Sequence, residues 1–424
     1  MKTVIAGINW GDEGKGRMVD LLAAEYDIVI RYQGGNNAGH TVINDRGHFI
    51  LNLLPSGILR PETVNIMGPG MVIDLKHLAE ELGRLEEAGI EITPERFLIS
   101  SHAIICLPYH KQQDIMEEER LAAARFGSTR RGIAPSYGDK YMKKSLRMED
   151  LLATPEYLRE RIHSLVEWKN IITKGYNQPP IEAEEILAWI AEYGAKIKPY
   201  IMDTGRYLQR ANERGRSMLF EAQLGALRDI DFGIYPFTTS SNTIAAYAPI
   251  GAGLPGLKYD RVVGVIKAYS SCVGAGPFTA EFHGAEAETL REAGSEYGAA
   301  TGRPRRVGPL DMVASAYGIM AQGATELALT KMDILTGMES IPVCTAYDID
   351  GEQTKHFPSG EDLLKAKPVF EYLPGFYGQD ISHCRKEEEL PKAARDYVDY
   401  VEQTLNVPIK YVSVGAEREA IIIR

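Results

Sequence analysis

The stretch Gly7-Ile8-Asn9-Trp10-Gly11-Asp12-Glu13-Gly14-Lys15-Gly16-Arg17 sets four glycines, two acids and two cations between an apolar run, Thr3-Val4-Ile5-Ala6, and Met18–Ala24, which reads as a helix. Strand, glycine-rich turn and helix make a phosphate cradle: backbone N–H groups at a helix N-terminus point at an anion and a lysine adds a point charge. It is not a standard P-loop. Asn9 stands where that pattern has its first glycine, and Gly16 follows Lys15 where Ser or Thr would hold a metal. A metal ligand must come from elsewhere, and Asp12 is the obvious carboxylate. The bland alternative is an ordinary Gly-rich turn. A second strand, Asp27–Tyr32, leads into Gln33-Gly34-Gly35-Asn36-Asn37-Ala38-Gly39-His40-Thr41, a loop suited to close backbone approach. A lone His is more often structural. Beside a loop carrying Asp and Lys, His40 is a candidate acid or electrophile.

Three further stretches carry chemistry. Leu327-Ala328-Leu329-Thr330-Lys331-Met332-Asp333 is an apolar run ending in T-K-x-D. A carboxylate there accepts two hydrogen bonds from guanine, at N1–H and the exocyclic amine, and adenine has no such donor pair. Asp333 would therefore select GTP over ATP, with the Lys331 stem on the base face. Taken alone, the pattern also fits a surface Lys–Asp pair. Thr301-Gly302-Arg303-Pro304-Arg305-Arg306 suggests a mobile loop that clamps carboxylates or phosphates, or else a solvated basic turn. The hydroxyl-rich turns Gly127-Ser128-Thr129-Arg130-Arg131-Gly132 and Phe237-Thr238-Thr239-Ser240-Ser241-Asn242 suit a monophosphate or simple helix capping.

Together with LLPSGIL, GPGMVID, VGAGPFTAEF and TGRPRRVGPLD, these motifs resemble the adenylosuccinate synthetase family from Val4 to about Arg418, in order and spacing. The resemblance implies a GTP-dependent C–N ligase that makes adenylosuccinate, GDP and phosphate from IMP, L-aspartate and GTP. It implies that Gly11 to Arg17, with Gly11, Asp12, Glu13, Gly14, Lys15 and Gly16 forming the loop, bind GTP. Gly39, His40, Thr41, Arg305, Lys331, Met332 and Asp333 would join them, and Ser413, Val414 and Gly415 would close over the base. IMP would meet Asp12, Lys15, Asn37, Ala38, Gly39, His40, Thr129, Gln223, Leu224, Thr239 and Arg303. Lys143 would reach IMP across a homodimer interface. Aspartate would sit on Val273, Ala299, Ala300, Thr301, Gly302, Arg303 and Arg305. Magnesium would be held by Asp12 and the Gly39 carbonyl, and the catalytic pair would be Asp12 and His40.

Several positions depart from the family. Leu224 stands at the usual glutamine, with Gln223 one place early. Lys143 stands for an arginine, Arg130 for a glycine, Cys272 for an arginine and Pro309 for a tryptophan. Lysine keeps charge but loses bidentate geometry. These changes motivate a second reading, a paralogue ligating another oxo-purine or amine. A third reading is a regulatory GTPase, disfavoured by the missing Ser/Thr after Lys15 and by the arginine loop. An NAD-binding reading is weaker, because the glycines lack the G-x-G-x-x-G order.

These residues need a rigid frame. Apolar runs recur at Ile50–Leu54, Val64–Met67, Phe97–Ser100, Ile104–Leu107, Met218–Glu221, Arg261–Tyr269, Glu326–Thr330, Ile341–Tyr347 and Ile409–Val414. Helical patterns such as Leu75–Glu87 and Leu310–Gln322 lie between them. The alternation predicts an α/β fold with a large, mostly parallel central sheet. The charged stretch 110–211 reads as a helical insertion within a single domain spanning 1–424, broken by a loop at Gly175–Pro180. A net charge of −11 disfavours a general nucleic-acid surface. Four scattered cysteines with no CxxC pair suit a reducing cytoplasm and no zinc site. The early strand predicts no signal peptide, and no apolar run approaches the ~20 residues of a membrane span.

Overall fold

The structure, a computed structural model, describes residues 1–44, 47–298 and 302–424, and only the backbone of residues 40–44, 48 and 124. Among the described residues, ten strands form one sheet. In spatial order they are Ile421–Ile423, Ile409–Ser413, Glu326–Thr330, Arg261–Lys267, Lys2–Gly7, Met218–Gly225, Ile28–Arg31, Val64–Met67, Phe97–Ser100 and Ile201–Met202. All neighbours run parallel except the first pair. Runs such as Val4-Ile5-Ala6 and Val262-Val263 are buried without alternation, as strands covered on both faces must be.

In one helix periodicity and capping agree. Leu75–Glu87 has Asp74 as N-cap, its carboxylate accepting from His77 N at 3.3 Å. Leu78, Leu82 and Leu85 recur on one face and are buried. Each such leucine contributes roughly 1.5–3 kcal/mol of burial. No helix among the described residues is long and apolar enough to cross a membrane.

The expected strands Val64–Met67, Phe97–Ser100 and Glu326–Thr330 are observed as read. The run Arg261–Tyr269 divides. Arg261–Lys267 stays in the main sheet, while Tyr269–Cys272 pairs antiparallel with Arg306–Asp311 in a second, five-stranded sheet. The helix expected from Leu310 begins at Met312, because Leu310 and Asp311 end a strand and Asp311 caps the helix through Ala314 N at 2.9 Å. The stretch 110–211 is mainly helical, with Pro155–Gly175, Ala183–Ile197 and Thr204–Glu213 its long C-terminal elements. It also carries the strand Ile201–Met202, which pairs with Phe97–Ser100 at the sheet edge. Its Ile162, Ile186 and Ile190 pack into the same apolar cluster as Leu78, Leu82 and Phe97.

Candidate active site

Open parallel sheets collect ligands at the carboxyl ends of their strands, and several of the expected stretches follow the strands Lys2–Gly7, Ile28–Arg31, Met218–Gly225, Glu326–Thr330 and Ile409–Ser413. The strand Lys2–Gly7 runs into a loop in which Gly11, Asp12 and Gly14 take left-handed φ values of 103°, 61° and 96°. Gly14 caps the helix Lys15–Leu22. The two acids of this loop separate. Glu13 is 2% exposed; its Oε1 accepts from Gly11 N at 2.7 Å and Asn9 N at 3.2 Å, and its Oε2 takes Lys15 Nζ at 2.6 Å. Asp12 instead turns outward, its side chain a third exposed. A Cβ at Gly7 would lie 2.4 Å from Leu224 O and 2.6 Å from Glu13 Oε2, so only glycine fits beneath the buried pair.

Asp12 meets the arginine loop. Arg305 Nε lies 3.1 Å from Asp12 Oδ2, an ion pair without hydrogen-bond alignment, and Arg305 Nη1 donates to Glu296 Oε2 at 2.8 Å. Glu296 is fully buried and also accepts from Lys267 Nζ at 2.8 Å, Lys331 Nζ at 3.0 Å and the Tyr269 hydroxyl. Burial alone would push the Glu296 carboxyl up. The surrounding Lys267, Lys331 and Arg305 overcome that and hold it far below the usual carboxylate range. Burial lowers Lys267 to about 8 despite Glu296 beside it. Burial also works against the charge of Arg305, yet Asp12 and Glu296 hold it above the ordinary arginine value. The sequence reading missed Glu296, Lys267 and Tyr269. The only available signals were an acid two residues after the helix Gly284–Gly294 ends in glycine, and a lysine closing an apolar strand.

The T-K-x-D segment adjoins the phosphate loop: Thr330 Oγ1 donates to Glu13 O at 2.6 Å. Met332 is buried. Lys331 does not lie free over a base face here; its ammonium donates to Gly294 O at 2.6 Å and to Glu296. Asp333 Oδ1 is buried without a hydrogen-bond partner among the described residues, and burial raises this carboxyl above its ordinary value. Arg17 reaches from the loop helix to the C-terminal segment, donating to Ser413 Oγ, Gly415 O, Glu417 O and Ala420 O. Val414 is buried beside them. Gly16 is buried in the first turn of the same helix.

The remaining residues expected at IMP come from other elements. Asn37 Oδ1 accepts from Gly35 N at 3.2 Å, and Ala38 O accepts from Asn52 Nδ2 at 3.3 Å. Gly39 packs on Asn52, where a Cβ would stand 2.5 Å from Nδ2. The LLPSGIL motif supports this loop from below. Glu81 accepts the N–H groups of Asn52, Leu53 and Leu54, while Glu221 accepts from Ser56 N and Oγ. Ser128 Oγ and Gly132 N both donate to Asp114, leaving Thr129 and Arg130 exposed. Arg303 Nη1 lies 3.5 Å from a Cβ built on Gly127, so the arginine loop approaches this turn. Thr239 and Val273 stand near one another through Arg228, which contacts both segments.

Gln223 and Leu224 divide their expected role. Gln223 is buried, its amide donating to Gly35 O at 2.8 Å and Asn52 O at 3.2 Å. Leu224, at φ 58°, packs on Gly11 instead. Lys143, exposed at φ 62°, follows the helix Ile133–Tyr141 and stands apart from these loops in sequence and element. Gly302 is exposed, its N–H donating to Gly298 O at 2.7 Å. His40 opens the strand His40–Asn44, its backbone paired with Leu51. The side chains of His40 and Thr41, and all of Ala299, Ala300 and Thr301, lie outside the described residues.

A family model described as adenylosuccinate synthetase matches residues 4–422. Adenylosuccinate synthetase 2 of Pseudoalteromonas translucida is 45% identical over 425 residues, covering 99% of each chain. Adenylosuccinate synthetase of Synechococcus elongatus is 43% identical over 422 residues, covering 99% of this chain and 94% of that one. The fully ligated adenylosuccinate synthetase from Plasmodium falciparum superposes with a TM-score of 0.93 at 33% identity, over 100% of this chain and 99% of that one. A cyanophage S-2L succinoaminodeoxyadenylate synthetase, bound to dGMP and dATP, matches at a TM-score of 0.62 and 19% identity, which is a likeness of fold. The protein is therefore a GTP-dependent ligase built on an α/β sheet. It belongs to the adenylosuccinate synthetase family, which joins L-aspartate to IMP in AMP biosynthesis.

Proposed function

We propose that the residues at the carboxyl ends of these strands carry the family reaction in the following way. Asp12 takes the N1 proton of IMP, which makes the 6-oxygen nucleophilic toward the γ-phosphoryl group of GTP. His40 stabilises charge as that group moves. The amine of aspartate, oriented by Arg303 and Arg305, then displaces phosphate from C6. The observation that carries this reading is the contact of outward-turned Asp12 with Arg305, which sets the proton acceptor beside the expected amino-acid clamp. The direct test is the purified protein with IMP, aspartate and GTP, followed by product absorbance. Absence of adenylosuccinate, or GTP hydrolysis that needs no second substrate, would overturn it.

The donor set suits magnesium. Asp12 offers a partly exposed carboxylate oxygen, and magnesium commonly binds through one or two protein carboxylates plus substrate phosphates. Asp12 and the Gly39 carbonyl would hold the ion, which when bound neutralises charge on the β- and γ-phosphates. Lys15 supplies a further positive charge at the same loop.

Asp333 is the guanine reader in this scheme, supported by its buried, unpartnered Oδ1. Asp333→Asn replaces an acceptor with a donor facing the donors of guanine. The loss is about 1.5–3 kcal/mol, or roughly 10- to 150-fold in GTP affinity. Titration of GTP and ATP against both proteins measures it. Equal affinity of the unsubstituted protein for the two nucleotides would refute the assignment.

The working unit in this reading is a cytoplasmic homodimer of single-domain chains, with the 110–211 helices presenting Lys143 to the partner's IMP. Support comes from the exposure of Lys143 beside Tyr141 and Met142, which are 72% and 51% exposed. Lys143→Ala should raise the IMP KM while leaving the GTP KM nearly unchanged, and Lys143→Arg should be tolerated or tighten IMP binding through a bidentate grip. Mixing Lys143→Ala with Asp12→Asn chains should restore part of the activity as subunits exchange. Demonstrated exchange without recovery would show that Lys143 does not act across an interface.

A further inference from the structure

Arg228 has no part in the scheme above, and no motif drew attention to it. It ends the short turn Ala226–Arg228 and is buried to 8% exposure. Its guanidinium spans two separate segments. Nη1 donates to Phe237 O and, at 3.2 Å, to Ala275 O; Nη2 donates to Val273 O at 2.6 Å and to Cys272 Sγ at 2.9 Å. Its backbone carbonyl accepts Thr239 N at 2.8 Å. The residue before it, Leu227, donates its N–H to Asn9 O at 3.0 Å, so the whole turn hangs from the phosphate loop.

The strap Cys272–Gly276 is where several expected contacts meet. Ala275 N donates to Phe126 O at 3.3 Å, beside the turn that carries Thr129. Arg306 Nη1 donates to Gly276 O at 2.7 Å, tying in the end of the arginine loop. Val273 itself is 38% exposed. A planar guanidinium with five fixed N–H donors can hold several acceptors on two segments at once, whereas an ammonium on a flexible stem cannot reproduce that fork.

We propose that Arg228 is a positioning residue for the amino-acid substrate. It fixes the Cys272–Ala275 strap against Thr239 and the phosphate loop, and so sets the distance from the aspartate end of the pocket to the purine end. The inference rests on the assignment of Val273 to aspartate and Thr239 to IMP made above. Arg228 touches neither Asp333, Lys331 nor the Ser413–Gly415 segment, which makes the guanine side an internal control.

The test is steady-state kinetics of the full chain carrying Arg228→Met or Arg228→Lys, with each of the three substrates varied in turn. Arg228→Met should raise the aspartate KM by about tenfold or more, since displacement of a pocket wall by ~1 Å is enough to cost 10²-fold in rate. The GTP KM should stay within about twofold, because the link to the phosphate loop runs through the backbone N–H of Leu227, which the substitution leaves in place. Arg228→Lys should give an intermediate rise in aspartate KM. An unchanged aspartate KM in a folded variant, or an equal rise in all three KM values with a lowered melting temperature, would overturn the proposal. If Arg228→Met does not fold, Arg228→Lys decides alone, and an aspartate KM equal to that of the unsubstituted protein rejects it. Failure of the unsubstituted protein to use aspartate at all would instead reject the underlying assignment.

Discussion

Asp12→Asn is expected to abolish adenylosuccinate formation, lowering kcat by at least ~10³-fold, within the range for a positioned proton-transfer group and more where it also binds metal. The change keeps size and shape. Asn tolerates left-handed backbone as well as Asp, so the φ of 61° at this position costs the variant little and the loop should stay folded. What changes is chemistry. An amide cannot take the N1 proton, it is a poor magnesium ligand, and it cannot pair with Arg305, now 3.1 Å away. Because Glu13 and Lys15 are held to each other and to the loop amides without Asp12, GTP should still bind. Calorimetric titration of GTP alongside turnover separates the two effects. Turnover near that of the unsubstituted protein would sink the mechanism, and loss of GTP binding with turnover in proportion would make Asp12 a nucleotide ligand only.

The second large effect is expected for Lys15→Met, which should lower kcat by roughly 10²–10³-fold, the scale for deleting one preorganised group at a site of developing charge. Two causes could produce such a loss. Lys15 would meet phosphate directly, and it also pairs with Glu13, which is 2% exposed. Leaving a buried carboxylate without its cation is itself destabilising. The double variant Lys15→Met, Glu13→Gln separates them. If the orphaned carboxylate is the cause, neutralising it should restore turnover as well as melting temperature. If charge at the phosphates is the cause, stability should recover while turnover stays low, and that is the expected result. Full recovery of turnover in the double variant would remove Lys15 from the phosphate site.

The departures flagged in the sequence have unequal structural consequences. Cys272 is buried with the Arg228 guanidinium against its sulfur. Leu224 sits in a left-handed conformation that favours glycine or asparagine, with Gln223 buried behind it holding Gly35 and Asn52. Arg130 also takes a positive φ, 57°, in an exposed turn. Pro309 pairs with Tyr269 in the second sheet, and nothing in the structure explains why proline stands there.

Elements made by local rules were readable from the chain alone. The phosphate loop followed from glycines between an apolar strand and a helix. The helix Leu75–Glu87 followed from leucines at helical spacing behind an aspartate cap, and the strand Glu326–Thr330 from an apolar run. The break of Arg261–Tyr269 into two sheets was not readable, because it depends on the pairing of Tyr269 with Pro309 and the contact of Lys267 with Glu296, partners well beyond the run itself. The two-residue strand Ile201–Met202 is too short to show a period and exists because the edge strand Phe97–Ser100 is there to pair with it. Within the site, residue types announced the chemistry: carboxylate, lysine, arginines, hydroxyls. The sequence already marked Asp12 as the carboxylate free to act, and the folded loop shows how the two adjacent acids part. Glu13 turns inward because Gly11 N, Asn9 N and Lys15 Nζ offer it partners there, and Asp12 is left to meet Arg305. Sequence by itself determined the inventory of reactive groups, since that depends on residue type and short spacing. Only the tertiary structure decided their pairings, since a buried charge is costly without a partner and that partner can come from a distant part of the chain, as Arg305 does for Asp12.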